Sequence, residues 1–245
     1  MLKMLIIGAT SAIANETIKH FAADGAEFFL VARNAERLNG IASDLKVRGA
    51  KRVETCVLDV ADVSQHQSMI DQAGAALGGL DAVLIAYGSL GDQAASQASV
   101  ETALNELNVN FISVVSLLTI LGNLFEQQRR GVIAVIGSVA GDRGRGSNYV
   151  YGTAKAGLDA FLSGLRNRLS KSGVQVLTIK PGMIDTPMTA HLKKTPLFAT
   201  PMQVGHDIYK AMRSGKDIIY TPFYWRYIMA IISNIPEMIF KKLSL

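Results

Sequence analysis

Three residues carry most of the chemistry that can be read in this chain: Ser138, Tyr151 and Lys155. Tyr151 and Lys155 stand four apart, so a helix would turn both to one face. An ammonium beside a phenol favours the phenolate and draws its pKa down from about 10 toward neutrality, which suits a general acid or base. Ser138 closes an apolar run, where its hydroxyl can hydrogen-bond a carbonyl under attack. The plainer alternative is a partly buried tyrosine with a lysine stretched past it. Nearer the start, G8-A-T-S-A12-I-A14 follows an apolar run and leads into helical spacing. A phosphate-binding turn needs a glycine at the bend, small residues beside it and a helix N-terminus with free N–H groups. Gly8, Thr10, Ser11, Ala12 and Ile13 meet that need, although an ordinary strand-to-helix turn would read alike.

Further on, V31-A32-R33 ends a second run. An NAD enzyme places a carboxylate there for the ribose hydroxyls, whereas an arginine accommodates the 2′-phosphate of NADP(H). NADP(H) is therefore expected, with NAD(H) as the alternative; without a ligand, Arg33 is a solvated residue near a helix cap. Asp59, after a third run, either accepts from an adenine amino group or caps a helix starting near Ala61.

These residues need a scaffold, and the hydropathy pattern supplies one. Seven apolar runs, at 4–7, 27–31, 53–58, 81–86, 132–136, 174–179 and 217–220, alternate with stretches of helical periodicity such as Leu158, Phe161, Leu162 and Leu165. Runs that are apolar throughout suit strands covered on both faces, so a seven-stranded parallel sheet with helices on each side is expected. In such sheets ligands bind beyond the carboxyl ends of the strands. The candidate residues sit there: Gly8, Arg33, Asp59 with Val60, Ala86 to Gly88, Ser138, and Pro181 onward.

Composition narrows the field. The chain has 245 residues, 49% hydrophobic and 18% charged, as in a soluble globular protein of one domain. A lone Cys56 can close no disulfide and furnish no thiolate metal cluster, so a buried reduced thiol, no metal and a cytoplasmic setting are expected. No segment reaches the roughly 18 uninterrupted apolar residues of a membrane span. Net charge is +5, yet residues 206–245 hold six basic and three acidic residues, and no basic block elsewhere suggests nucleic acid.

The joint order is more specific than any single motif. A Gly turn after the first run, Asp59 after the third, Asn110 in a helical stretch, Ser138 after the fifth, Tyr151 and Lys155 one helix later, and P181-G-M-I-D-T186 after the sixth resemble the short-chain dehydrogenase/reductase family, classical type. The resemblance spans nearly the whole chain. It implies a doubly wound, Rossmann-like α/β fold over residues 1–222 and an oxidoreductase passing hydride between a nicotinamide and a carbonyl or alcohol carbon. It implies Tyr151 as proton donor or acceptor, Lys155 lowering its pKa and binding the nicotinamide ribose, Ser138 orienting the substrate oxygen, and Asn110 holding a water. Pro181, Gly182, Ile184 and Thr186 would line the nicotinamide pocket, and helices around 100–128 and 149–171 would form a homo-oligomer interface. Two departures stand out: Ala12 and Ala14 replace later glycines of the turn, and I85-A86-Y87-G88 replaces an Asn-Asn-Ala-Gly motif that braces the central strands.

Three segments, 85–92, 141–159 and 226–245, are similar to the decaprenylphosphoryl-2-keto-ribose reductase subgroup of that family, which implies a keto-sugar on a lipid phosphate as a substrate class. The other enzymatic reading is a 3-oxoacyl thioester reductase, and a non-catalytic nucleotide-binding relic is the reading outside enzymology. Arg143 and Arg145, between Ser138 and Tyr151, either bind a substrate phosphate or are solvated loop residues. The tail, residues 223–245, combines Tyr224, Trp225 and Tyr227 with an apolar stretch, Lys241 and Lys242. Such a segment lies on the inner face of an anionic membrane, or packs on its own sheet or a partner subunit.

Overall fold

All seven apolar runs form strands in the computed structural model, which describes residues 1–190 and 192–243. They are β1 (Lys3–Ile7), β2 (Glu27–Ala32), β3 (Arg52–Val57), β4 (Ala82–Ile85), β5 (Gly131–Ile136), β6 (Val174–Pro181) and β7 (Ile218–Thr221). They make one parallel sheet in the order β3-β2-β1-β4-β5-β6-β7. Successive side chains of a strand point to opposite faces, so each continuous apolar run feeds two cores. Met4 and Ile6 enter one core with Ile18, Leu38 and Ile208; Leu5 and Ile7 enter the other with Leu117, Phe125 and Leu162.

The helices are α1 (Ala12–Ala23), α2 (Ala35–Val47), α3 (His66–Leu77), α4 (Gln93–Ala98), α5 (Val100–Leu107), α6 (Ser113–Gln128), α7 (Tyr149–Leu169), α8 (Pro201–Arg213), α9 (Trp225–Ser233) and α10 (Glu237–Phe240). Helices α1, α2 and α8 cover one face of the sheet, and α3, α6 and α7 the other. Local sequence sets several starts: the Asn34 side chain caps α2 by accepting from Arg37 N, and Asp92, Ser99 and Thr200 do the same for α4, α5 and α8.

Some expectations need correction. The outer strand β3 is not covered on both faces: it buries only Val53, exposes Val57, and pairs Arg52 with Glu54 at 3.0 Å on its open side. Edge position explains this, since an outer strand has less protein to cover it and charge discourages further pairing. Cys56, on the same strand, is half-buried rather than enclosed, though burial still pushes its thiol pKa up. No helix begins at Ala61. Asp59 Oδ1 accepts from Ala61 N in a turn, Asp62 caps a short 3-10 turn at Val63–Gln65, and α3 starts at His66. The stretch 100–128 is continuous, but a π-turn at Asn108–Ile112 interrupts it. By length and mean hydropathy, 1.7 over its best 18-residue window, this run could span a bilayer. Val114, Leu117, Leu118, Leu121 and Phe125 instead bury its α6 portion against the sheet.

Candidate active site

The chain reverses strand order between β1 and β4, where α1 leaves to one face and α4 to α6 lie on the other. A crevice opens there at the carboxyl ends. Gly8 takes φ +87, and a Cβ on it would meet Tyr87 N at 2.7 Å, so glycine is required both for the bend and for the close approach. Gly8 N donates to Val31 O at 2.9 Å and Ala86 N to Ile7 O at 2.8 Å, stitching the ends of β1, β2 and β4 together. Ser11 stands at the N-cap of α1 without a side-chain cap bond, leaving the first-turn N–H groups of Ala12 and Ile13 unclaimed by it. A dinucleotide's pyrophosphate fits such a helix end. Ala14 is fully buried in the core, so its methyl group packs there rather than toward the phosphates; Ala12 stays partly open at the helix start.

Arg33 is exposed beyond β2 and makes no hydrogen bond or ion pair with the described residues. Arg37, which the sequence reading passed over, donates from Nη2 to Thr10 O at 3.2 Å and so brings a second guanidinium to the turn. The R33-x-x-x-R37 spacing across a helix start was the available signal. Asp59 is exposed at the end of β3, and Val60 O is within hydrogen-bond distance of the buried His66 Nε2, 3.1 Å away. Burial holds His66 below the usual histidine range.

Where the family's asparagines would stand, Tyr87 takes over a brace. Its hydroxyl lies 2.8 Å from Ser113 Oγ, joining the end of β4 to α6, and burial pushes its phenol pKa up. Gly88 lies against Asn110 and Lys155: a Cβ there would be 2.6 Å from Asn110 Oδ1 and 3.8 Å from Lys155 Nζ. Asn110, fully buried within the π-turn, accepts from Ser89 N at 3.1 Å and donates to Glu106 Oε1 at 2.7 Å. The turn's wider coil carries Asn110 into this loop, and such bulges recur at functional sites.

Tyr151 and Lys155 share a face of α7 as their spacing predicts. Lys155 is 3% exposed, donates to Ile136 O at 3.2 Å and lies 5.6 Å from the centre of the Tyr151 ring. Ser138 Oγ accepts from Ala140 N at 3.0 Å. The electrostatics differ from the expectation. Burial pushes the Tyr151 phenol up to about 12; Ser138 and Arg145 oppose it, Glu106 adds to it, and Lys155 has no part in the shift. Lys155 lies over the ring, and its own burial lowers it to about 8 against the raising effects of Asp159 and Glu106. A phenol, a hydroxyl and an ammonium of marginal charge thus meet in one pocket, an arrangement able to hand a proton to a bound carbonyl oxygen.

Pro181 and Gly182 continue β6 into the cleft, with Gly182 N donating to Thr221 O at 3.1 Å. A Cβ on Gly182 would overlap the Trp225 indole, at 1.9 Å from Nε1, so the glycine exists to seat that ring. Ile184 is buried and bridges to Ala199; Thr186 forms a capping box with Thr189.

The two loop arginines part company. Arg143 turns away from the pocket: Nη1 donates to the carbonyls of Ile232, Ser233 and Ile235 at 3.0, 3.1 and 2.5 Å, Nη2 pairs with Glu237 at 2.8 Å, and the guanidinium sits 3.7 Å above the Phe240 ring. Its donors hold the tail, which removes it from the phosphate-binding reading. Arg145 stays by Tyr151, with its Nε buried and without a partner. Gln93 Nε2 and Asn148 Oδ1 are likewise buried and unpartnered, and Gln93 Oε1 ties its loop to α7 by accepting from Val150 N at 3.1 Å. The tail is no separate body. Trp225 and Met229 are buried with Val139, and Tyr224 OH donates to Leu197 O at 3.1 Å, so neither Trp225 nor Tyr224 is free to meet a membrane.

Comparison with known proteins agrees with this geometry. Residues 3–197 match the short chain dehydrogenase family model. The chain is 35% identical to an uncharacterised oxidoreductase of Mycobacterium tuberculosis over 98% of its length and 96% of that protein's. It is 33% identical to sulfoacetaldehyde reductase 2 of Chromohalobacter salexigens over 76% of its length and 74% of that protein's. A solved structure described as a short chain dehydrogenase/reductase family protein superposes with TM-score 0.79 at 22% identity, covering 89% of this chain and 94% of the other, and so shares the fold. A parallel sheet in this strand order, with its cleft at the carboxyl ends and a family match over most of its length, makes this chain a member of the short-chain dehydrogenase/reductase family.

Proposed function

We infer that the protein is a carbonyl reductase, or in reverse an alcohol dehydrogenase, that uses NADP(H) in preference to NAD(H) and moves the proton through Tyr151. The convergence of Ser138, Tyr151 and Lys155 at the end of β5 carries this reading. The family binds nicotinamide dinucleotides, and the bound nicotinamide supplies the hydride. Gly8, Thr10, Ser11, Ala12 and Ile13 cradle the pyrophosphate; Arg33, with Arg37, faces the 2′-phosphate. Asp59 and Val60 hold the adenine, while Ala86, Tyr87 and Gly88 with Pro181, Gly182, Ile184 and Thr186 line the rest of the cleft. Ser138 donates to the carbonyl oxygen and Tyr151 protonates it. Lys155 keeps positive charge beside the phenol and holds the nicotinamide ribose, and Asn110 anchors the loop around both.

Substrate class follows from Arg145. An arginine beside the phenol, with an orphaned buried Nε and orphaned Gln93 Nε2 and Asn148 Oδ1 nearby, supports a carbonyl compound bearing an anionic, oxygen-rich group. A sulfonated aldehyde, as in the name of the Chromohalobacter relative, and a keto-sugar on a lipid phosphate, as in the decaprenylphosphoryl-2-keto-ribose reductases, are both of that kind. A 3-oxoacyl thioester is the runner-up, for its reacting end offers Arg145 no anion. The exposed apolar residues Val100, Leu104 and Ile112 support assembly as a homo-oligomer. The apolar and basic outer side of the tail supports peripheral contact with a membrane from the cytoplasm.

The test titrates NADPH and NADH by fluorescence into the wild type and Tyr151→Phe, then measures turnover with phosphorylated keto-sugars, sulfoacetaldehyde and 3-oxoacyl thioesters. Tyr151→Phe should lower turnover by about a thousandfold while leaving NADPH affinity within about threefold. Unchanged turnover would remove Tyr151 from the mechanism. Nucleotide binding without turnover on any carbonyl would favour the relic.

A further inference from the structure

A carboxylate that the sequence reading passed over sits inside this cluster. Glu106, one helical turn before Asn110, is 8% exposed, and both its oxygens accept hydrogen bonds, Oε1 from Asn110 Nδ2 at 2.7 Å and Oε2 from Ser89 Oγ at 2.8 Å. Donors on both oxygens suit the ionised form. Gly91 makes room for it: φ is +66, and a Cβ there would lie 2.7 Å from Glu106 Cδ. The π-turn that places Asn110 therefore also ties this acid to the loop after β4.

Lys155 lies across the same gap, close enough that Glu106 raises its pKa. Other charged and titratable groups face the site from each neighbouring element. From α7 come Tyr151 and Asp159, from the loop before α7 Arg145 and Asp142, and from β6 Lys180. Asp159 also acts on Lys155, but Lys180 Nζ pairs with Asp159 at 2.8 Å and with Asp142 at 2.5 Å, so its charge is already shared. Glu106 has no lysine or arginine ion pair of its own among the described residues. Its field is thus left for Lys155, which burial has brought to the edge of losing its charge.

We propose that Glu106 is a positioning residue for this reaction: clamped by Asn110 and Ser89, its carboxylate keeps the neighbouring Lys155 ammonium charged in a pocket that otherwise favours the neutral amine. The role rests on the reductase reading above, because a charged Lys155 matters there as the partner of Tyr151. Glu106 touches neither the reacting atoms nor the phenol's hydrogen-bond partner, and it acts through Lys155.

Trace acetylation of the native protein with acetic anhydride across pH, read at Lys155 by peptide mass spectrometry, titrates that lysine without requiring turnover. The wild-type midpoint should fall near about 8. In Glu106→Gln, which preserves shape and removes the charge, it should drop by about half a unit or more, and Glu106→Asp should restore part of the shift. The alkaline limb of kcat/KM for carbonyl reduction should move down with it, while kcat well below the limb stays within about threefold. An unmoved Lys155 midpoint in a folded Glu106→Gln variant overturns the proposal. So does a loss of kcat/KM that is uniform across pH, the mark of a purely structural role. Where the glutamine variant fails to fold, Glu106→Asp carries the test alone: a smaller downward shift supports the proposal and none overturns it. A midpoint that responds in a chain that reduces no carbonyl supports the Glu106–Lys155 link and overturns the reductase reading instead.

Discussion

Single side chains in this cleft show how far spacing alone can be trusted. Tyr151 and Lys155 were bound to share a face, because four residues return a helix to the same side. Which way the phenol titrates was not so bound. Lys155 stands over the ring and burial dominates, so the free phenol is pushed up to about 12 rather than drawn down. Arg33 offers a cleaner consequence of charge. It is exposed beyond β2 with no carboxylate at Ala32 to hold ribose hydroxyls, and Arg37 stands one turn away. Arg33→Ala should weaken NADPH binding by about tenfold or more while moving NADH by less than about threefold, as a fluorescence titration would read it. Equal losses for the two nucleotides would rule out a contact with the 2′-phosphate.

Between the elements, the notable partnership joins the tail to both lips of the cleft. Trp225 of α9 fills the space left by Gly182 on one side, and Val139, just after Ser138, meets the same cluster on the other. Arg143 fastens the far end by donating to three carbonyls at the close of α9, groups that a helix terminus cannot satisfy within itself. Its ion pair with Glu237 adds little, since that carboxylate is 74% exposed. Arg143→Ala should therefore cost about 2 kcal/mol, chiefly from the charged hydrogen bonds. Limited proteolysis should then cut first at Arg226, Lys241 or Lys242, and an unchanged digestion pattern would mean that α9 and α10 are held by Trp225 and Met229 alone. Edge position explains the other departure at this scale, for β3 alternates because nothing lies beyond it.

For the whole molecule, the tail presents two unlike sides. Trp225 and Met229 are buried, while Phe223, Tyr227, Ile231 and Met238 are between 65% and 73% exposed beside Arg226, Lys241 and Lys242. A symmetric copy of so basic a patch would meet its own charge, whereas an anionic bilayer would not repel it. Sedimentation with phosphatidylglycerol vesicles should carry the protein down at low salt, with phosphatidylcholine vesicles leaving most of it in solution. The double change Tyr227→Ser, Ile231→Ser should abolish the binding without loss of folding. Binding indifferent to lipid charge, or to that double change, would argue that the patch serves another purpose.

The sequence by itself determined the strand count, the two-faced core and the order of Gly8, Asn110, Ser138, Tyr151 and Lys155. These depend on local period and on short-range spacing, which the backbone fixes whatever surrounds it. Only the tertiary structure decided which neighbours those residues meet. Arg143 and Arg145 are two apart in the same loop, yet one anchors a helix end some 90 residues later in the chain and the other stays by the phenol. Glu106 reads as one more acid on a helix until the π-turn, Ser89 and Gly91 close around it. Burial and long-range contact set the charge of a titratable group, and neither is a property of local sequence.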